Sequence, residues 1–340
     1  MSGEEPLVTV ITPVRNGEPY LAQAIESVLG QTYGNFEYLI VDNASTDESR
    51  ATAERYAARD ARIRVVAEAE FLDQISNFNR AVRLMDPAAQ YCKFVMADDW
   101  LYPECLAEMV RAATRDPEVG IVGALRYAGD KIKCVGLPGP AGPDLISIVE
   151  GRFVARAYLL DNVHLFGSPT SVMFRADLVR GRPHFFPLEG PNHDTDLCLR
   201  LLASARFGFV HRVLTFSRTA NDSVSSGTRR YDPGFRVSRL IMLGRHGGTY
   251  LTAGEEQVLR SVLERDLYRF MARGVLKPGR RAFLAHHRAA LAEAKSELRR
   301  GRLALAIGRQ LLVSMVHPIS AARAGRLRLR QMRARVETRP

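Results

Sequence analysis

Short apolar runs, many of them β-branched, alternate with segments of helical apolar spacing over the first 124 residues. Each run spans about six residues, which suits a buried strand and is too short for a helix. The predicted strands are Leu7–Thr12, Phe36–Val41, Arg62–Ala67, Tyr91–Met96 and Val119–Ala124, and the predicted helices are Leu21–Leu29, Glu48–Arg59, Asn77–Met85 and Pro103–Arg115. Strands separated by helices predict βαβ units, so we expect an α/β fold with a mostly parallel sheet flanked by helices.

The pattern is less regular after the fifth predicted strand. Glycine and proline are frequent from Tyr127 to Asp144, which predicts an irregular loop. Two further strand-like pieces, Ser171–Phe174 and Phe207–Val210, bracket a helical segment. From Gly254 onward the pattern is helical and rich in arginine and leucine.

These changes in character predict two domains. Residues 1–218 form the α/β domain, and residues 219–340 form a C-terminal α-helical, arginine-rich extension. No segment approaches the ~18 consecutive apolar residues of a membrane span. The first residues also lack the pattern of a signal peptide, so we expect a cytoplasmic protein, with a peripheral place on the inner face of the membrane as the alternative.

Composition adds a preference for anionic partners. The formal net charge is +11, which favours nucleotide diphosphates, anionic lipid or nucleic acid. The four cysteines are scattered without a CxxC pair, so we expect structural free thiols in a reducing compartment.

Acidic residues follow two of the predicted strands. Asp42 ends the second strand, and Asp98 and Asp99 follow the fourth. Ligands of parallel sheets bind outside the carboxyl ends of the strands, so one cleft could hold all three. Adjacent carboxylates repel each other unless a cation offsets their charge, and Mg²⁺ or Mn²⁺ prefers such hard oxygen ligands. The alternatives are helix capping by the pair and an Asx turn at Asp42.

A second acidic cluster, His193-Asp194-Thr195-Asp196, precedes a helix-like segment. A carboxylate here could act as general base toward an acceptor hydroxyl, provided that it lies within reach. Its alternative role is again helix capping. The sequence lacks GxGxxG after a strand and GxxxxGK[ST], which excludes the common dinucleotide-binding and P-loop sites.

The order of these motifs resembles glycosyltransferase family 2, whose inverting enzymes have a GT-A (Rossmann-like) catalytic domain. The matching stretches cover about residues 7–218. They are VTVITPVRNGEPYLAQAIESVLGQTYGNFEYLIVDNASTDES, SNFNRAV, KFVMADDWLYPECL, FGSPTSVMFRADLV and NHDTDLCLRLL.

The resemblance implies a donor site on the first half of this domain. Matching positions that would contact the nucleotide-sugar donor are Pro13, Arg15, Asp42, Asn79, Arg80 and Asp98. Asp98 and Asp99 match the motif that holds a divalent metal, Mn²⁺ or Mg²⁺, on the diphosphate.

The resemblance also implies the reaction. Asp194 matches the catalytic base, and Asp196 is the neighbouring acidic residue on the substrate side. The base takes the proton of an acceptor hydroxyl in a single displacement that inverts configuration. The expected donor is UDP- or dTDP-linked, and the expected acceptor is a glycan or lipid-linked glycan of bacterial surface polysaccharide synthesis.

Three residues depart from the family pattern. Met96 stands where many members have the first aspartate of Asp-x-Asp, Arg15 replaces a more common aromatic residue, and His193 replaces a common glutamate. Met96 keeps a catalytically inactive, nucleotide-sugar-binding scaffold open as an alternative. A nucleotidyltransferase would require a Gly-rich, basic first loop, which the segment Pro13–Pro19 does not supply.

The last forty residues hold nine arginines and one acidic residue, Glu337. Three interpretations stay open: an amphipathic helix on an anionic membrane, a packed helical appendage with a solvated basic face, and nucleic-acid binding. The last has the least support, because it lacks accompanying aromatic or zinc motifs.

Overall fold

The structure is a computed structural model that describes residues 5–133, 144–188, 192–218, 232, 235–276, 279–293 and 299–316. Contacts divide the chain into two compact units. The first contains Met1–Asp222 and His246–Thr252, and the second contains Ser223–Arg245 and Ala253–Pro340. The return of residues 246–252 to the first unit was not expected from the sequence. The division into domains at residue 218 stays a prediction.

The first unit alternates strands and helices, as the apolar pattern predicts. Its strands are β1 Val8–Val14, β2 Phe36–Asp42, β3 Ile63–Ala67, β4 Tyr91–Phe94, β5 Trp100–Leu101, β6 Val119–Ala128, β7 Lys131–Lys133, β8 Ile146–Val149, β9 Val172–Arg175 and β10 Arg206–Ser217. Its helices are α1 Leu21–Leu29, α2 Ser49–Ala57, α3 Gln74–Arg83, α4 Cys105–Ala113, α5 Gly151–Asp161, α6 Ala176–Arg180 and α7 His193–Leu201, with a 3₁₀ turn at Pro169–Ser171.

All ten described strands join one sheet, in the order β3-β2-β1-β4-β9-β6-β10-β5, with β7 beside β6 and β8 beside β10. Strands β3, β2, β1 and β4 are parallel neighbours. Strand β9 runs antiparallel between β4 and β6, and β10 is parallel to β6. Six strands therefore share one direction, and their carboxyl ends lie at one edge of the sheet.

Helices cover both faces of the sheet. Side chains alternate between faces along a strand, and Val8 and Val10 of β1 pack in one buried cluster with α1 and α4. Helix α3 contacts β1 and β2 and also α6. There Phe78, Phe94 and Phe186 form a buried aromatic group with ring centroids 5.2–5.9 Å apart. The core is thus the two-sided one expected of an α/β fold.

Two strand assignments from the sequence were too short. Strand β6 continues to Ala128 and pairs with β7, where an irregular loop was predicted, and residues 134–143 of that loop lie outside the described residues. Strand β10 is twelve residues long, although only Phe207–Val210 was predicted. Its extra length pairs with β5 and β6, partners that are distant in sequence and invisible to local periodicity.

The second unit is helical in its described part, as expected for the C-terminal extension. Its helices are α8 Arg236–Tyr250, whose end belongs to the first unit, α9 Ala253–Val275, α10 Arg280–Glu293 and α11 Arg300–Val316. Helix α9 buries Leu259, Leu263 and Leu267 at a spacing of four. None of the described helices has the length and apolar character needed to cross a bilayer.

Candidate functional site

The polar residues predicted from the sequence gather where the parallel strands end. Strand β1 leads into Arg15, β2 ends at Asp42, and β4 leads into Asp98 and Asp99. Strand β10 ends at Ser217 and brings Arg218 to the same edge. Such an edge is the usual ligand site of an open α/β sheet.

Asp42 is a buried carboxylate that has one unused oxygen. The side chain is 2% exposed, and its Oδ2 accepts a hydrogen bond from the Ser45 backbone N–H at 3.2 Å. Its Oδ1 is buried and has no hydrogen-bond partner among the described residues. Leaving a buried acceptor unpaired costs about 1–3 kcal/mol. The free oxygen therefore indicates a position for a ligand N–H or O–H.

A guanidinium stacked on an aromatic ring stands beside Asp42. Arg15 donates from Nη1 to the Asn43 carbonyl at 3.1 Å and lies 4.2 Å above the ring centroid of Phe71. The Asn43 side chain exchanges two 2.8 Å hydrogen bonds with the backbone of Leu72, which holds the Phe71 loop in place. Pro13 is buried in β1, where it pairs with Val41.

Sequence reasoning missed Phe71. Its side chain is 59% exposed, and the available signal was an aromatic residue in the polar loop that follows the third strand.

Asn79 and Arg80 are neighbours in α3 with different surroundings. Asn79 is 3% exposed, and its amide donates to the Phe186 carbonyl at 2.9 Å and accepts from the Phe186 N–H at 2.8 Å. Arg80 is half-buried and donates to Glu68, next to the end of β3, at 2.7 Å. Arg80 thus reaches the strand-end edge, whereas Asn79 fixes the loop at Phe186.

The adjacent carboxylates also differ. Asp99 is 5% exposed; its Oδ2 accepts from the hydroxyls of Thr170 at 2.6 Å and Ser217 at 3.3 Å, and its Oδ1 accepts from the Arg218 N–H at 3.0 Å. Burial raises the pKa of Asp99 to about 6, and the negative charge of Asp98 adds to the rise. Asp98 is the more accessible carboxylate of the pair.

The two carboxylates offer too few ligands to hold a divalent cation by themselves. Asp98 is a carboxylate at the edge of the sheet and offers hard oxygen ligands; both oxygens of Asp99 accept hydrogen bonds from protein donors. Within the described ranges, no group of three acidic, histidine or cysteine side chains has a metal-binding arrangement. A cation here would therefore need further ligands from a bound anion, such as a diphosphate.

Arg218 covers this acidic pair and was also missed by the sequence analysis. Its guanidinium lies 3.9 Å from the ring centroid of Tyr20 and donates to Gln23 at 3.0 Å and to the Asp98 carbonyl at 3.3 Å. Arg218 directly follows β10, and residues 219–226 lie outside the described residues.

Asp194 is the second residue of α7, a half-buried position. Its Oδ1 accepts from the Thr195 N–H at 2.8 Å. Burial raises the pKa of its carboxyl, while the positive charges of His193 and Arg126 oppose the rise. A carboxylate whose pKa is raised toward neutrality is a better general base than an ordinary aspartate.

Asp196 points into the protein instead. It is fully buried; its Oδ1 is 2.6 Å from Nε2 of His246, and Arg200 donates to its two oxygens at 3.2 and 3.1 Å. Hydrogen bonds from His246 and Arg200 lower its pKa to about 2, against the effect of burial. In this structure Asp196 anchors α7 and has no surface left for a substrate.

The structure therefore brings Pro13, Arg15 and Asp42 together at the ends of β1 and β2, and Asp98 and Asp99 at the end of β4. It separates the roles of Asp194 and Asp196, which the sequence grouped. The assignment of each residue to a ligand or a catalytic step stays a prediction.

Comparison with known proteins gives a consistent picture. The family model described as Glycosyl transferase family 2 matches residues 9–181. Over 122 residues the chain is 34% identical to the uncharacterized glycosyltransferase EpsJ of Bacillus subtilis (36% of this chain, 34% of that protein). Over 119 residues it is 34% identical to the O-antigen biosynthesis protein RfbC of Myxococcus xanthus (34% and 9%). The chain thus matches about a third or less of the length of these relatives.

Solved structures share the fold at low sequence identity. Staphylococcus aureus TarS 1–349 in complex with UDP-GlcNAc aligns with a TM-score of 0.60 and 15% identity, covering 84% of this chain and 81% of that one. The mannosyltransferase PcManGT from Pyrobaculum calidifontis, in complex with GDP-Man and Mn²⁺, aligns with a TM-score of 0.51 and 18% identity, covering 92% and 82%. The expected GT-A fold is confirmed.

Proposed function

Because the chain belongs to glycosyl transferase family 2, we propose that it moves a sugar from a nucleoside-diphosphate sugar to an acceptor hydroxyl, with inversion at the anomeric carbon. The observation that carries this proposal is the unpartnered, buried Oδ1 of Asp42 at the carboxyl edge of the sheet. A hydrogen-bond acceptor at this edge of the sheet suits an N–H of the base or an O–H of the ribose of a nucleotide.

The hydrogen bonds of Asp42 favour a pyrimidine donor. Its Oδ2 already accepts from Ser45, so Oδ1 is the oxygen without a partner among the described residues. Uracil and thymine each offer one ring N–H, whereas guanine offers two parallel donors that would need both oxygens. The flat guanidinium of Arg15 can stack on the base, with Phe71 as its support. Pro13 lines the same place, and Arg80 offers a positive charge nearby. UDP- or dTDP-sugars are therefore the proposed donors.

The diphosphate would lie over Asp98. Asp98, backed by Asp99, would hold Mn²⁺ or Mg²⁺, which when bound neutralises charge on the diphosphate leaving group. Arg218 supplies a further positive charge at the same edge. Asn79 keeps its two hydrogen bonds to Phe186 and so acts on the donor site through the loop that it holds.

Asp194 is the proposed base. It accepts the proton of the acceptor hydroxyl while that oxygen forms its bond to the anomeric carbon and the bond to the diphosphate oxygen breaks. The electron pair of the broken bond leaves with the diphosphate. Asp196 contributes by tying α7 to His246, which holds the turn that carries Asp194.

Relatives indicate the biological setting. RfbC is named for O-antigen biosynthesis, and TuaG of Bacillus subtilis, 35% identical over 99 residues (29% of this chain, 38% of that protein), for teichuronic acid biosynthesis. We accordingly assign the chain to bacterial surface polysaccharide synthesis, with a glycan or lipid-linked glycan as acceptor. This setting suits a cytoplasmic enzyme at the inner face of the membrane.

Calorimetric titration of the full chain tests the donor site. UDP, dTDP, GDP and ADP are each titrated with and without Mn²⁺ into wild type, Asp42→Asn and Asp98→Asn. We expect UDP or dTDP to bind with Mn²⁺ dependence, a loss of about tenfold or more in Asp42→Asn, and loss of the Mn²⁺ dependence in Asp98→Asn. Binding of none of the four nucleotides would refute the proposed function. Nucleotide binding without any hydrolysis or transfer of a bound sugar would favour the inactive scaffold suggested by Met96.

A further inference from the structure

Arg218 is held beside the acidic pair by hydrogen bonds from both its backbone and its side chain. It directly follows β10, and its backbone N–H donates to Oδ1 of Asp99 at 3.0 Å. Its side chain donates from Nε to the Asp98 carbonyl at 3.3 Å and from Nη2 to Oε1 of Gln23 at 3.0 Å. The guanidinium is therefore tied both to the loop that follows β4 and to helix α1.

Aromatic rings restrict the orientation of this guanidinium. Its Cζ lies 3.9 Å from the ring centroid of Tyr20 and 5.6 Å from that of Trp100. Trp100 in turn stacks on Phe216, with ring centroids 3.6 Å apart and an angle of 6° between the planes. A flat cation that already lies against aromatic rings loses little further freedom when an anion binds to it. Arg218 is thus preorganised for an anionic ligand.

The guanidinium of Arg218 also has donors to spare. Arginine has five N–H donors, and in the described part of the chain two of them reach acceptors, both of which are neutral oxygens. The remaining N–H groups suit an oxyanion, because phosphate can accept two parallel N–H bonds from one guanidinium.

The loop that follows β1 connects this contact to the proposed nucleobase site. Arg15 stands at the start of the loop, beside that site, and Tyr20 stands at its end, next to Arg218. A Cβ at Gly17, between them, would lie 3.2 Å from Cβ of Ala97. Because position 17 has no side chain, the loop packs closely against the residue that precedes the acidic pair. One nucleotide can therefore meet both ends of the loop.

We propose that Arg218 is a ligand of the donor's diphosphate, that it binds the phosphate farther from the nucleoside, and that this contact requires no metal. The inference rests on the proposed function and deepens it. The nucleoside is placed at the end of β2, and β10 lies beyond β1 and β4 in the sheet, which puts Arg218 toward the terminal phosphate. A diphosphate beside two carboxylates is repelled unless cations offset the charge, and arginine is a permanent cation. Tyr20 and Trp100 are its positioning residues.

The test compares two nucleotides that differ only in the terminal phosphate. The full chain is titrated with UDP and with UMP, in EDTA and then with Mn²⁺, by calorimetry and by the fluorescence of Trp100, the single tryptophan. Arg218→Gln removes the charge, Tyr20→Leu removes the aromatic ring, and Tyr20→Phe keeps it. Arg212→Gln is the matched control, because it removes an exposed arginine of β10 that pairs with Glu108.

In EDTA we expect the wild type to bind UDP about tenfold or more tightly than UMP. Arg218→Gln should lower the affinity for UDP to that for UMP and leave the affinity for UMP unchanged, which also shows that the variant is folded. Tyr20→Leu should weaken UDP binding several-fold, whereas Tyr20→Phe and Arg212→Gln should bind UDP like the wild type.

Equal UDP affinity of the wild type and Arg218→Gln in EDTA would overturn the inference. Binding of UDP by the wild type only in the presence of Mn²⁺ would also overturn it, and would leave the proposed function intact. If the wild type binds neither nucleotide under either condition, the proposed function fails, and this inference fails with it.

Discussion

Asp194 and Asp196 are two residues apart on one helix and have opposite electrostatic environments. Burial raises the pKa of Asp194, although the backbone N–H groups of Thr195 and Asp194 and the charges of His193 and Arg126 act against the rise. Asp196 is buried more deeply, yet His246 and Arg200 lower its pKa to about 2. Side-chain hydrogen bonds from His246 and Arg200 outweigh desolvation at Asp196, whereas Asp194 receives no side-chain hydrogen bond from the described residues. The same residue type therefore serves as a candidate base and as an anchor.

The lowered pKa of Asp196 makes a prediction about stability. A carboxyl whose folded pKa lies below its unfolded value of 3.8 stabilises the fold above that pH. At ~1.4 kcal/mol per pKa unit, Asp196 contributes about 2 kcal/mol near neutrality. Wild type should therefore exceed Asp196→Asn by this amount at pH 7 in urea unfolding, and the difference should shrink as the pH falls from 4 toward 2. Asp161→Asn, at an exposed carboxylate ending α5, is the control, and a pH-independent difference would contradict this account.

The 3₁₀ turn Pro169–Ser171 connects strands β4 and β9 to the acidic pair. Thr170 donates to Asp99 at 2.6 Å, and its hydroxyl oxygen accepts from the Met96 N–H at 3.1 Å. Its carbonyl accepts from the buried ammonium of Lys93, which also donates to the Val172 carbonyl at 3.2 Å. Burial lowers the pKa of Lys93. One turn thus holds the loop after β4, and with it the backbone that presents Asp98.

Thr170→Val removes this connection at nearly constant volume. It removes one of the two hydroxyl donors to Oδ2 of Asp99 and leaves the Met96 N–H without its partner, so the free energy of unfolding should fall by about 1–3 kcal/mol. Mn²⁺-dependent binding of UDP should weaken as well, because Asp98 loses its support. Thr215→Val is a matched control, because the Thr215 hydroxyl is fully buried and has no partner among the described residues. Equal losses in both variants, by urea unfolding and calorimetry, would show that the turn has no special role.

Positive charge and exposed apolar side chains coincide on α11, in a protein that is basic as a whole. Leu305 and Leu312 are 59% and 62% exposed, and they lie seven residues apart, on one face of the helix. Arg309 and Arg302, which also pairs with Glu264 of α9, lie on the same face, and the helix Arg300–Val316 contains no acidic residue. With a net charge of +11, this face suits an anionic lipid surface. Membrane association stays a prediction.

Vesicle sedimentation tests this face. The full chain should sediment with phosphatidylglycerol vesicles at low salt and less with phosphatidylcholine vesicles, since screening and neutral lipid both remove the attraction. Leu305→Ser combined with Leu312→Ser should reduce the bound fraction several-fold. The control combines Val258→Ser with Val262→Ser. These two valines of α9 are also exposed, but they follow the acidic residues Glu255 and Glu256 in the helix. If the leucine variant sediments like wild type, α11 does not bind the lipid surface and is a packed helical appendage.

The alternation of strands and helices in the first unit, the family and the aspartates at the strand ends could all be predicted from the sequence. These features depend on residues two to four positions apart or on contiguous motifs, so local patterns contain them. Which carboxylate oxygens are free depends on the folded chain. Oδ1 of Asp42 is unpartnered, whereas Asp99 and Asp196 are occupied by Thr170 and His246, which are 71 and 50 residues away. Burial and partner identity arise from contacts distant in sequence, and these contacts decide which acidic side chains can meet a substrate.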